Sequence, residues 1–175
     1  HTTSPMPTPT EDRIRRKHLP HSKPLPPRKG GQGTLFATKR RVIKITQEKK
    51  PEEYEAIDRR IRRNVDPEGH RFVRVERHGE AEGHFWQVME RLRAYPKTHT
   101  FTDKQKSYLR ESVMLLFINN VMDHGDIKSD NVMYRGRARN KPIFIDIDTV
   151  LITPQTKEHV ITTNLSDDLD DIDDL

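Results

Sequence analysis

The sequence contains no cysteine and only one tryptophan, and aromatic residues make up 6% of its 175 positions. Without thiols the chain has neither a disulfide framework nor a thiolate metal site, so nothing in it requires an oxidising compartment. Long apolar runs are also missing, because the longest, Val113 to Ile118, falls far short of the roughly 20 residues that span a bilayer. We therefore expect a soluble protein with cytosolic chemistry and no membrane partner.

Hydrophobic residues are scarce, at 31% against 34% charged, which predicts one lightly cored domain. The net charge of +5 is unevenly distributed: residues 166–175 hold six aspartates and no Lys or Arg, so the rest of the chain carries +11. Such a basic surface suits nucleic acid, nucleotide phosphates or acidic protein. Because the few aromatic residues are not interleaved with the arginine clusters, we do not expect nucleic acid as a partner.

Patterning predicts the order of the elements. Residues 1–28 hold seven prolines and predict an extended, proline-rich basic arm. Strands then alternate with helices, which predicts an α+β fold. The predicted elements are two short strands in 34–45, an amphipathic helix in 52–63, two antiparallel strands in 71–92, a buried helix in 102–120 that begins after Thr102, and a strand pair in 132–147.

The acidic end, 166–175, is open to two interpretations. Leu169, Ile172 and Leu175 recur every third residue, and Ser166 is a suitable N-cap, so a short helix could dock one apolar face onto the basic body. The alternative is a solvated acidic tail.

The stretch from His124 to Asn131 reads HGDIKSDN and places Asp126 five residues before Asn131, with Lys128 between them. Phosphoryl transfer uses a carboxylate to accept the proton of the attacking hydroxyl, a cation for the γ-phosphate and an amide oxygen for Mg²⁺. Fifteen residues after Asn131 an apolar strand reaches Asp146, with Asp148 close behind, and either carboxylate is suited to ligate the metal.

Two upstream features fit the same chemistry. Gly31, Gln32 and Gly33 precede a strand, where glycines let backbone N–H groups approach phosphates. Lys44 lies in Val-Ile-Lys-Ile on the next predicted strand, from which it can reach the α- and β-phosphates. Lys44 then needs a carboxylate partner on the helix that follows.

Taken in this order, the parts from about Gly30 to Asp148 resemble the protein-kinase superfamily. The resemblance implies a minimal bilobal α+β fold, with a small antiparallel-sheet N-lobe and hinge in 29–92 and a reduced helical C-lobe in 93–175. It also implies an ATP-dependent Ser/Thr protein kinase with ATP and Mg²⁺ as cofactors.

The same resemblance gives each candidate residue a role. In the N-lobe it implies that Gly31, Gln32 and Gly33 contact phosphates, that Lys44 pairs with Glu53 or alternatively Glu55, that Met89 is the gatekeeper, and that Glu90 and Leu92 offer hinge groups to adenine. In the C-lobe it implies that Asp126 is the catalytic base, Lys128 the γ-phosphate lysine, Asn131 and Asp146 the Mg²⁺ ligands, and Met133 the floor of the adenine pocket.

Several residues depart from the kinase pattern. Phe36 stands where a third loop glycine is usual, and Gly125 replaces the arginine that normally precedes the catalytic aspartate. Asp-Ile-Asp replaces Asp-Phe-Gly at Asp146, and no Ala-Pro-Glu follows. We therefore expect activity without activation-loop phosphorylation and without the usual helical platform for peptide substrate.

HGDIKSDN and GGQG are similar to the HopBF family of minimal kinases, type III effectors that phosphorylate the host HSP90 chaperone. This implies secretion by a bacterium into the host cytoplasm and a host protein substrate, with HSP90 the first candidate, and we expect a monomer. Two other functions stay open: a nucleotide-binding pseudokinase that serves as an interaction module, and a small-molecule phosphotransferase. His-Gly-Asp favours the latter and Lys128 disfavours it.

Overall fold

A computed structural model of the chain describes residues 6–26, 33–47, 51–123, 127–145 and 149–175. They belong to two compact units, unit 1 from His1–Glu52 with Arg74–Arg91 and unit 2 from Glu53–Val73 with Leu92–Leu175. The predicted α+β class is confirmed, with an antiparallel sheet in unit 1 and most of the helices in unit 2. In the described part of the chain, no helix combines the length and apolar character that crossing a membrane requires.

Unit 1 is built on a five-stranded antiparallel sheet in the order β1-β2-β3-β5-β4. Its strands are β1 (Lys23–Pro24), β2 (Thr34–Ala37), β3 (Arg41–Gln47), β4 (Val75–Ala81) and β5 (His84–Glu90). The predicted pair of strands around a basic turn is therefore present as β2 and β3. The long β3–β5 ladder, from Arg41 opposite Glu90 to Gln47 opposite His84, forms the centre of the sheet.

The extended arm predicted for residues 1–28 is wrong over α1 (Pro9–His18). Thr8 and Glu11 form a reciprocal capping box, and Pro9 occupies the first turn, where its missing N–H costs nothing. Acidic residues then lie in the first turn and basic residues in the last, which complements the helix dipole. These local signals outweigh the proline content, which by itself favours an extended chain.

Helix α1 covers one face of the sheet. Ile14, which is 2% exposed, packs in a cluster with Leu19 and with the inward side chains of the strands. Those side chains are Phe36, Ile43, Ile45, Trp86 and Val88. The N-terminal segment is thus part of the core of unit 1.

Strand β5 begins at His84 as the sequence predicts, but β4 covers Val75–Ala81 instead of the predicted 71–76. The stretch 78–83, whose sequence HGEAEG is typical of a turn, is mostly strand. Only Glu82 and Gly83 form the turn, with φ of 50° and 77° at the two central positions. Positive φ at both positions matches the twist of a tight two-residue hairpin. Gly79 lies within β4 opposite Trp86, and glycine is needed there because a Cβ would come 2.7 Å from the Trp86 ring.

Unit 2 holds the remaining elements. They are α2 (Pro51–Arg60, which begins at the end of unit 1) with a π-helical turn Ile61–Val65, β6 (Arg93–Ala94), α3 (Asp103–Ile118), β7 (Val121–Asp123), a 3-10 turn Ser129–Asn131, β8 (Val132–Tyr134), β9 (Ile143–Phe144), β10 (Thr149–Leu151), α4 (Lys157–Val160) with a π-helical turn Ile161–Leu165, and α5 (Ser166–Asp173). Two small sheets join β6-β8-β9 and β10-β7.

Helix α3 is the central element of unit 2, as the sequence predicts. Thr102 caps it, accepting from the backbone N–H of Gln105 at 3.2 Å, and the Gln105 side chain accepts in return from the Thr102 N–H at 2.9 Å. Leu109, Val113 and Leu116 are at most 1% exposed, so the helix passes through the core.

The acidic end adopts the docked alternative. Helix α5 packs on α3, where Ile172 is fully buried in the unit 2 core and Leu175 lies half-buried against it. Arg110 Nη2 lies 2.5 Å from Asp173 Oδ1, and Lys106 Nζ donates to the Asp173 carbonyl at 2.7 Å. The predicted Ser166 cap is wrong, because Leu165 before it is already helical and continues the π-helical turn into α5.

Candidate functional site

The face of the unit 1 sheet opposite α1 carries Lys44 and Met89, two of the residues predicted to bind nucleotide. Side chains alternate along a strand, so Lys44 lies on the opposite face from Ile43 and Ile45, which pack under α1. Lys44 is opposite Gln87 on β5, and Val42 is opposite Met89. The structure therefore brings Lys44 and Met89 onto one face of the sheet. Gln87 is also on this face, directly opposite Lys44 and two residues before Met89 on β5.

Gly33 directly precedes β2 and lies beside Thr46, which shares the Lys44 face of β3. Its φ is +103°, and a Cβ at this position would lie 2.7 Å from Thr46 Cγ2 and 2.8 Å from the Ile45 carbonyl oxygen. Only glycine fits this position without displacing the backbone of β3. The other predicted members of the glycine loop, Gly31 and Gln32, lie outside the described residues.

The kinase pattern's third glycine position is occupied by a core residue. Phe36 is 0% exposed and packs under α1 with Ile43, which is opposite it on β3. The side chain at 36 thus contributes to the unit 1 core, which explains why a large aromatic residue stands there.

The predicted hinge residues divide between the units. Glu90 closes β5 opposite Arg41, whose guanidinium lies 2.8 Å from the Glu76 carboxylate. Leu92 is 8% exposed and begins the second segment of unit 2. Just after it, β6 pairs with β8 so that Ala94 lies opposite Met133, the predicted floor of the adenine pocket.

The two predicted partners of Lys44 lie in unit 2. Glu53 and Glu55 are exposed on α2, and Ile57, one turn after Glu53, packs against the unit 2 core as the sequence predicts. Lys44 lies in unit 1, and which carboxylate pairs with it stays a prediction.

The described part of the predicted catalytic stretch, 127–131, ends in a 3-10 turn in unit 2. Lys128 is exposed and directly precedes the 3-10 turn, where its carbonyl accepts from the Asn131 N–H at 2.9 Å. Asn131 in turn accepts at its carbonyl from the N–H of Ile145, also at 2.9 Å. The residue directly before Asp146 is therefore hydrogen-bonded to Asn131.

A second pairing lies on the other side of the same region. Asp123, the last residue of β7, is opposite Thr149, the first residue of β10. Asp123 directly precedes the segment 124–126, which carries Asp126, and Thr149 directly follows the segment 146–148, which carries Asp146 and Asp148. The two segments are therefore joined by this pairing. Asp126, Asp146 and Asp148 themselves lie outside the described residues.

Three buried or half-buried aspartates near this region were not singled out from the sequence. Asp123 and Asp168 are each 3% exposed, and Asp171 Oδ2 accepts from the N–H of Ile127 at 3.2 Å. Burial raises the pKa of Asp168 to about 9, helped by the charge of Asp123 and a hydrogen bond between their side chains. The sequence signal for Asp168 and Asp171 is their spacing of one helical turn beside Ile172, the apolar anchor of α5.

The donor set that the sequence predicts for Mg²⁺ is an amide and a carboxylate, the oxygen ligands that this ion prefers. Of the two predicted ligands, Asn131 is half-buried in the 3-10 turn. Within the described ranges, no cluster of three His, Asp or Glu side chains is arranged to hold a metal. Asn131 is hydrogen-bonded at its backbone to Ile145, the residue directly before Asp146. Asp146 lies outside the described residues, so a shared Mg²⁺ site stays a prediction.

Comparison with known proteins gives structural neighbours only. No protein family matches the sequence, and no curated protein matches it either. Among solved structures, the chain is similar to a medium-resolution structure of the bifunctional kinase-methyltransferase WbdD, with 20% identity and a TM-score of 0.47 over 77% of this chain and 34% of that one. A 2.2 Å structure of WbdD matches with 19% identity and a TM-score of 0.49 over 81% and 36%. The chain spans about a third of the length of these structures.

Proposed function

We propose that the chain is an ATP-dependent Ser/Thr protein kinase that works with Mg²⁺. The observation that carries the proposal is the double pairing in unit 2, Asn131 with Ile145 and Asp123 with Thr149. It ties the stretch HGDIKSDN to the stretch IDID at both ends, so that the residue types needed for phosphoryl transfer come from one small region.

In this proposal the unit 2 residues perform the chemistry. Asp126 accepts the proton of the attacking hydroxyl, and Lys128 neutralises charge on the transferred phosphoryl group. Asn131 and Asp146 hold Mg²⁺, which supplies the positive charge that the phosphate oxygens need. Met133, on β8 beside the 3-10 turn, contacts the adenine.

The unit 1 residues bind the nucleotide. Lys44 interacts with the α- and β-phosphates from the face of the sheet that α1 leaves uncovered, and Met89 lines the same face. The backbone N–H groups of Gly31, Gln32 and Gly33 approach the phosphates, and Glu90 and Leu92 offer backbone groups to adenine. Glu53 on α2 is the partner of Lys44.

A protein hydroxyl is the proposed acceptor, because Lys128 stands between Asp126 and Asn131 as it does in protein kinases. We propose a host protein as the substrate, with HSP90 the first to be tested, and delivery of the enzyme by a bacterium into the host cytoplasm.

A labelling assay tests the function. The purified chain is incubated with γ-labelled ATP, Mg²⁺ and either eukaryotic lysate or purified HSP90, in parallel with Asp126→Ala. We expect label on serine or threonine with the wild type and at least a hundred-fold less with Asp126→Ala. Asp130→Ala is the matched control, because Asp130 is an exposed aspartate in the same stretch, and it should label as the wild type does. Absence of protein labelling by the wild type would refute the proposal.

A further inference from the structure

Two carboxyl groups, those of Asp123 and Asp168, meet inside unit 2. Asp123 ends β7 and Asp168 lies in the first turn of α5, and each is 3% exposed. The Asp168 Oδ2 atom is buried and receives no hydrogen bond from any described residue. Two ionised carboxylates in this position would repel each other in a poorly solvated site.

The described charges that act on Asp168 add to this repulsion. Asp123 faces it from β7, and Asp167 and Asp171 add negative charge from its own helix. On α3, Lys106 and Arg110 contact Asp173 instead, and the π-helical turn 161–165 has no titratable side chain. A proton on Asp168 turns the repulsion into a hydrogen bond between a carboxylic acid and a carboxylate.

The same helix reaches both ends of the segment that holds Asp126. Asp168 contacts Asp123, the residue before that segment, and Asp171 accepts from the N–H of Ile127, the residue after it, at 3.2 Å. Asp168 and Asp171 are one turn apart and therefore share a face of α5. Ile172, fully buried beside them, anchors that face to the core.

We propose that Asp168 and Asp171 are positioning residues: a proton shared between Asp168 and Asp123 holds α5 in place, and α5 thereby fixes the spacing between Asp123 and Ile127. The inference rests on the proposed function for its catalytic consequence alone. The latch itself, defined as the Asp123–Asp168 pair with the Asp171–Ile127 hydrogen bond, is measurable in a chain without any activity.

The first experiment measures unfolding free energy against pH for the wild type, Asp168→Asn and Asp170→Asn. The native state keeps the Asp168 proton up to a pH of about 9, whereas an unfolded aspartate loses it at about 4. Wild-type stability should therefore fall as pH rises between these values, with a slope that corresponds to uptake of about one proton on folding. Asn donates the same hydrogen bond without titrating, so Asp168→Asn should lose that slope and melt higher than the wild type at pH 8.

Asp170→Asn is the matched control, because Asp170 is an exposed aspartate of the same helix, and it should keep the wild-type slope. An unchanged slope in Asp168→Asn overturns the shared proton. If millimolar Mg²⁺ or Ca²⁺ raises the wild-type melting temperature at pH 8 and Asp168→Asn abolishes the rise, a cation neutralises the pair and the proposal is wrong.

The second experiment measures amide hydrogen exchange at Ile127 together with phosphotransfer. Asp168→Leu removes the carboxyl group and leaves Asp123 without its partner, so Ile127 should exchange at least ten-fold faster. The kcat should fall at least ten-fold, with the KM for ATP within two-fold of wild type; Asp168→Asn should restore both. Wild-type exchange at Ile127 in Asp168→Leu overturns the latch. An inactive wild type with protected Ile127 refutes only the proposed function.

Discussion

At Gly33 the backbone and its surroundings both demand glycine. Its φ of +103° is strained for any L side chain, and a Cβ would meet Thr46 Cγ2 at 2.7 Å. The β3 backbone beside it cannot move without disturbing the central β3–β5 ladder. A residue predicted for phosphate binding is therefore also needed for the structure of unit 1.

Gly33→Ala should lower the free energy of unfolding by about 3 kcal/mol, since backbone strain and overpacking add. Gly83→Ala is the matched control, because Gly83 also has a positive φ, of 77°, but has open space where the Cβ would lie. Gly83→Ala should lower the free energy of unfolding by only about 1 kcal/mol, because the positive φ is its single source of strain. Denaturant titration measures both, and equal losses would contradict the predicted contact with Thr46.

His18 and Trp86 form a natural fluorescence probe in unit 1. Their rings stack at 3.7 Å and 19°, and Trp86 is the single tryptophan. Burial lowers the pKa of His18, with the positive charges of Lys17 and Arg77 contributing. Because the unfolded chain takes up this proton more readily than the native state, His18 contributes a loss of stability as pH falls below about 6.5.

Trp86 emission should fall as pH is lowered below the ordinary histidine pKa, because a protonated imidazole quenches a stacked indole. His18→Phe preserves an aromatic stack without a titrating group, and its emission should not change over the same range. A wild-type titration with a midpoint at or above that of an unstructured histidine would contradict the lowered pKa.

At the scale of elements, α5 contributes a residue to the core of unit 2. Ile172 is fully buried there, whereas Ile118 at the end of α3 is 68% exposed. Ile172→Ala should therefore lower the unfolding free energy by about 3 kcal/mol, and Ile118→Ala should change it by less than about 0.5 kcal/mol. Thermal unfolding of both variants measures the difference, and deletion of 166–175 with unchanged stability would show that α5 does not stabilise the unit.

Elements with strong local signals could be predicted from the sequence. The Thr102 cap and the apolar run after it predict α3, and a β-branched run after a basic turn predicts the pair β2 and β3. Helix α1 was missed because prolines were weighted above the capping box of Thr8 and Glu11. The hairpin at Glu82 and Gly83 was misplaced because Gly79 reads as a turn residue, whereas its role is to make room for Trp86.

The candidate site was predictable to the extent that it is local in sequence. The stretch from Lys128 to Asn131 is short enough for its residues to stay close together in the fold, and the β-branched residues around Lys44 predict its strand. The contacts of Asp123 with Asp168 and of Ile127 with Asp171 join positions more than 40 residues apart. No periodicity encodes such a pairing, and an acidic run by itself is typical of a solvated tail.

For the whole molecule, the formal charge of +5 counts every aspartate as ionised. Because burial raises the pKa of Asp168 to about 9, the native chain at pH 7 should carry one more positive charge than that count. Asp170→Asn should therefore shift the native electrophoretic mobility by one charge, and Asp168→Asn should leave it unchanged. Equal shifts in capillary electrophoresis would show that Asp168 is ionised in the native state.

The chain passes between the two units three times, after Glu52, Val73 and Arg91. Any single cut therefore divides at least one unit, and a cut after Val73 divides both. Strand β3 pairs with β5, which follows the unit 2 segment 53–73 in the sequence. Serial truncation is consequently a poor way to map activity in this protein, because a fragment that loses function has also lost part of a core. Point variants matched for chemistry and exposure are the informative alternative.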